Sequence, residues 1–152
     1  MRIHTILLCA AIMAIAGCAA TRQTPQLKQV ISTSGAPGAI GPYSQAIRHG
    51  NMVFLSGQLA IDPSSGQFKA DLSVEEQTRL VMENLKAVLK ASGMSMDNVL
   101  TATVYLKDMN DFPKVNEIYG TYFRDAPPSR ATVAVAQLPK NARVEISMIA
   151  GD

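Results

Sequence analysis

The run from Arg130 to Ala136 constrains the fold more than any other stretch of the chain. Alternate residues Ala131, Val133 and Val135 make one apolar face of a strand, while Thr132, Ala134 and Ala136 make a second face that is small and largely apolar. A strand of that kind has to be covered on both sides. "PPSRATVAVAQ" (Pro127–Gln137) also places a permanent cation, Arg130, at the mouth of this run.

The rest of the chain supplies cover for one side only. "MVFLSGQL" (Met52–Leu59) reads as a strand entering a loop, and "DPSSG" (Asp62–Gly66) reads as a turn. Ser73 and Glu76 have capping-box spacing, and Val81, Leu85, Val88 and Leu89 recur at helical spacing until Gly93 stops the helix. "VLTATVYL" (Val99–Leu106) is a strand by its β-branched content. Asp111 is placed to cap a second helix with a buried stripe of Val115, Ile118, Tyr119 and Tyr122. Terminal strands Arg130–Ala136 and Arg143–Ala150 follow, joined by "QLPKNA". This order predicts an α+β or α/β sandwich in which two helices cover one sheet face. The second face is expected to bury itself against other subunits. At 152 residues and 47% hydrophobic, the chain can build one such core and not two.

The N-terminus stands apart from that core. Arg2 precedes an apolar run, Ile6–Ile15, too short to span a bilayer but of the length found in secretory signals. The run ends in "IAGC" (Ile15–Cys18), which resembles a bacterial lipobox. Residues 1–17 are therefore read as a lipoprotein signal peptide, Cys18 as the lipid-bearing first residue, 18–30 as a tether and 31–152 as the folded domain. Ordinary cleavage after Ala20 is the alternative. Ala19 beside the cysteine favours the periplasmic face of the outer membrane over retention at the inner one.

Export simplifies the chemistry. Cleavage removes one of 14 basic side chains and none of the 12 acidic ones, leaving a net charge of about +1, which implies no nucleic-acid partner. Cys9 and His4 leave with the signal, Cys18 is acylated, and His49 sits in the turn-like "RHGN". Zinc sites, cysteine nucleophiles and Ser-His-Asp triads are thus disfavoured, and carboxylate, Tyr, Ser/Thr, Lys and Arg chemistry remains.

"GAIGPYSQA" (Gly38–Ala46), "LSGQLAIDPSSG" (Leu55–Gly66), "VYLKDMNDFPKVNEIY" (Val104–Tyr119), "PPSRATV" and "LPKNARVEISMIA" (Leu138–Ala150) together resemble the RidA, or YjgF, family of reactive intermediate deaminases. The resemblance implies an α+β, chorismate-mutase-like fold with a mixed β-sheet, assembled as a homotrimer with ligand clefts between subunits. It implies hydrolysis of 2-enamino and 2-imino acids, such as 2-aminoacrylate and 2-iminopropanoate, to 2-keto acids and ammonia, with no metal or organic cofactor.

By the same resemblance, Arg130 receives the substrate carboxylate, a role for which a guanidinium offers paired N–H donors that lysine lacks. Glu145 orients or activates water near the imine carbon, and strand alternation separates it from apolar Val144, Ile146 and Met148. Tyr43, Ser56 and Asn116 match the remaining cleft positions. Thr132 occupies the substrate-side position where many members carry cysteine, so thiol-dependent behaviour is not carried over. A noncatalytic trimeric binder of 2-keto or related acids is the alternative, and a ribonuclease or translation inhibitor is the weakest reading.

Overall fold

The computed structural model describes residues 27–152; residues 1–17, read above as a signal peptide, Cys18 and most of the segment read as a tether lie outside the described residues. Six strands form one sheet: β1 (Gln29–Ile31), β2 (Ala46–His49), β3 (Met52–Gln58), β4 (Val99–Leu106), β5 (Ser129–Ala134) and β6 (Val144–Gly151). Their order across the sheet is β1-β2-β3-β6-β4-β5, with β4 and β5 parallel and every other neighbouring pair antiparallel. Gln29 and Val30, within the segment assigned to the tether, belong to β1 because they pair with β2.

Helix α1 (Val74–Ala91) follows the sequence rules closely. Ser73 Oγ accepts from the Glu76 amide at 3.2 Å while the Glu76 carboxylate accepts from the Ser73 amide at 2.9 Å, completing the expected capping box. Gly93 takes a left-handed φ of 79° just beyond the helix, a conformation that costs glycine little. Val81, Met82, Leu85, Val88 and Leu89 are buried on one face. Each contributes on the order of 1.5–3 kcal/mol through removal from water.

Helix α2 (Phe112–Gly120) makes the crossover between parallel strands β4 and β5. Val115 and Tyr119 are buried, and Ile118 and Tyr122 half-buried. Asp111 does stand at the N-cap, yet its side chain makes no capping bond. Its carboxylate accepts instead from Arg143 Nη2 at 2.6 Å and Nε at 3.0 Å, which ties the start of α2 to β6. A charge-assisted, two-pronged bond outcompetes a neutral backbone donor for the same oxygens.

Both helices pack on one sheet face. Val53 and Leu55 of β3, Ala102, Val104 and Leu106 of β4, and Val144, Ile146 and Met148 of β6 point into this core. The opposite face carries Phe54, 44% exposed, with Thr101, Thr103, Ser147 and Ile149 around it. Strand β5 is largely exposed on both sides in the single chain, and Val133 is 44% exposed. The terminal strands β5 and β6 do not pair with each other, since β4 lies between them.

Candidate active site

Residues of the resemblance gather into two hollows on opposite faces of the sheet. Glu145 pairs in register with Tyr105 and alternates with buried Val144 and Ile146, so it projects from the helix-free face. It borders a cavity of about 350 Å³ together with Tyr43, Ser56, Gly57, Ile40 and Pro139. Burial raises the proton affinity of its half-buried carboxyl above the ordinary value of 4.5.

Two features of β3 shape this hollow. The β3–β6 register shifts between Leu55 and Gln58, a bulge that takes Ser56 and Gly57 out of regular pairing. A Cβ on Gly57 would lie 2.0 Å from Glu145 Oε1, so only glycine lets the carboxylate rest there. Gly57 was not among the expected site residues, although a glycine inside a strand pattern is the usual signal of a bulge or close approach. Ser56 Oγ donates to the Ser44 carbonyl at 2.7 Å, so toward the cavity its hydroxyl can only accept.

The loop opposite is held by a buried amide. Gln45 Nε2 lies 3.0, 3.1 and 2.7 Å from the carbonyls of Thr33, Ala36 and Pro37, and its Oε1 accepts from the Thr33 amide at 2.6 Å. This fixes the segment carrying Tyr43, a residue that is 47% exposed and whose hydroxyl accepts from the Ile40 amide at 3.3 Å.

Arg130 lies on the other face, opposite Ala102 of β4, where its side chain meets α2. Its Nη2 donates to Asn116 Oδ1 at 2.8 Å, and its guanidinium carbon stands 4.8 Å from the Tyr119 ring centre and 5.7 Å from that of Phe112. Among the described residues it has no ion-pair partner. With Asn116, Tyr119, Phe123, Pro127 and Pro128 it lines a hollow of about 420 Å³. Thr132 shares the face of Arg130 and pairs with Val104, but it borders neither hollow.

The chain therefore brings Arg130 together with Asn116, and Glu145 together with Tyr43 and Ser56, without bringing the two sets to each other. One hollow offers an anion-binding fork; the other offers a partly desolvated carboxyl and hydroxyl acceptors. His49 ends β2 at the exposed hairpin and borders neither.

Comparison with known proteins places the chain in a family. The chain is 52% identical over 125 residues to a RutC family protein of Pyrococcus horikoshii, covering 82% of this chain and 98% of that one. It is 50% identical over 124 residues to the mouse 2-iminobutanoate/2-iminopropanoate deaminase, covering 82% and 91%. The crystal structure of E. coli TdcF with bound serine superposes with a TM-score of 0.77 at 42% identity, covering 82% of this chain and 98% of TdcF. The model of the endoribonuclease L-PSP family matches residues 33–151. On this match, and on the sheet, helices and clustered residues above, the chain belongs to the L-PSP family, the family of RidA and YjgF.

Proposed function

We propose that this chain hydrolyses 2-imino acids to 2-keto acids and ammonia, in clefts where the arginine hollow of one subunit meets the glutamate hollow of the next. The observation that carries this reading is the separation of Arg130 and Glu145 onto opposite faces of one sheet, each beside an open hollow. A homotrimer formed through the uncovered face would supply the missing half of each site, and the mouse relative's name supplies the reaction class.

In this cleft the substrate carboxylate takes the free N–H donors of Arg130, which neutral Asn116 leaves uncompensated. The imine carbon then faces Glu145. Its carboxylate takes a proton from a water as the water oxygen bonds to that carbon, and passes it to the nitrogen. The carbinolamine hydroxyl then gives up its proton by the same route, the carbon–nitrogen bond breaks, and ammonia leaves the keto group behind. Ser56, able only to accept, suits the N–H of the imine. Positioned acid–base work of this kind contributes roughly 10²- to 10⁴-fold.

The experiment uses residues 19–152 and follows the loss of 2-iminopropanoate generated by an amino-acid oxidase. Acceleration that disappears in Arg130→Ala, with folding and assembly intact, is expected. A folded assembly without acceleration would leave a carboxylate-binding protein, a reading that the serine in TdcF keeps open.

The location is part of the same proposal: an exported lipoprotein anchored through Cys18, with its imine source outside the cytoplasm. "IAGC" supports it. Labelled palmitate should enter the wild type and not Cys18→Ser; label in both would contradict the anchor.

A further inference from the structure

We infer that Tyr119 is a positioning residue that holds the Arg130 guanidinium in its carboxylate-binding pose through the face of its ring. The inference rests on the reading that Arg130 receives the substrate carboxylate. Phe112, Asn116 and Tyr119 recur at i, i+4 and i+7 along α2, so one stripe of the helix faces β5. From that stripe the guanidinium meets one amide oxygen and two ring faces, and no carboxylate.

This combination has a chemical consequence. An acidic partner would have to be displaced before a ligand carboxylate could bind, whereas a ring face attracts the cation and leaves its in-plane N–H donors free. Tyr119 is suited to this as a neutral group: burial pushes its phenol up to about 12, so it never competes as an anion. The ring is itself fixed, 4% exposed, with Phe123 packed at 4.8 Å between centres. Among the described residues its buried hydroxyl has no hydrogen-bond partner, so there the ring and not the oxygen makes the useful contacts.

The test is titration of 2-oxobutanoate into the full-length chain by calorimetry, a readout independent of turnover. Tyr119→Leu should weaken binding about three- to thirtyfold, the span expected when a cation–π contact is lost. Tyr119→Phe should stay within about twofold of wild type. In the Arg130→Ala background, Tyr119→Leu should produce no further loss, because the ring acts only through the guanidinium. KM for 2-iminopropanoate should rise in step with the binding constant while kcat holds. If Tyr119→Leu unfolds, Tyr119→Met fills the volume without a ring face and takes its place.

Equal damage from Phe and Leu, or an effect of Leu that persists without Arg130, would overturn the inference. If the binding pattern holds but the wild type turns over no imine, the deaminase reading fails and the role of Tyr119 stands. A folded wild type that binds no carboxylate would overturn both.

Discussion

A carboxylate resting where a neighbour's Cβ would otherwise lie depends on that neighbour staying bare. Gly57→Ala must push Glu145 out of its hollow, because 2.0 Å from Oε1 leaves no room for a methyl group. We expect kcat to fall at least tenfold while binding of 2-oxobutanoate stays near wild type, measured by steady-state kinetics and titration calorimetry. Glu145→Gln should cost turnover roughly 10²- to 10⁴-fold. It should also stabilise the fold at neutral pH. The folded chain holds the Glu145 proton to higher pH than the unfolded chain does. The cost of burying its charge is therefore absent below the ordinary value of 4.5 and fully present above the raised one. Thermal melts should show E145Q gaining on wild type as pH rises through that interval and holding the gain at pH 7. The acid limb of kcat/KM should sit above 4.5 for the same reason. Motif and resemblance named Glu145, Tyr43, Ser56, Asn116, Arg130 and Thr132, of which all but Thr132 line a hollow, and named neither Gly57 nor Tyr119. Their roles depend on what lies across the gap: a carboxylate from β6 in one case, a guanidinium from β5 in the other.

Local rules governed the elements well where the deciding atoms are close in sequence. The capping box of α1 spans three residues, and β4 occupies Val99–Leu106 as its β-branched run predicts. Asp111 failed as a cap because its competitor, Arg143, is remote in the chain and presents a two-pronged charged donor. That pair spans the start of α2 and the entry to β6, and the Arg143 amide also donates to Gln77 Oε1 of α1 at 3.2 Å. Asp111→Ala should therefore loosen a junction of three elements. A loss of about 1.5–3 kcal/mol in denaturant unfolding is expected, given that Asp111 is buried and Arg143 partly exposed. A smaller loss in Asp111→Ala than in Leu85→Ala would still fit; no loss would show the junction to be held by packing alone. Strand order could not be read from the sequence, because the insertion of β6 between β3 and β4 is decided by long-range pairing.

At the scale of the molecule, two helices able to cover only one side of a sheet announced an uncovered face, and the six-stranded sheet carries one, centred on Phe54 and the outer side of β5. Other subunits were the cover expected for that face, because no element of the chain was left to bury it. If neighbouring subunits complete each cleft, two dead proteins should repair each other. Arg130→Ala and Glu145→Gln, co-refolded in equal amounts, should recover roughly a quarter of the wild-type rate, since random assembly pairs an intact arginine half with an intact glutamate half that often. Recovery near zero would place both groups in one subunit's site. If the clefts form only between subunits, the division of Arg130 and Glu145 between faces also gives the chain a silent youth: newly made or highly diluted copies would hold both reactive groups and use neither. Specific activity should then climb with protein concentration and lag after dilution, and the first turnover of any molecule would date from its meeting with a sibling.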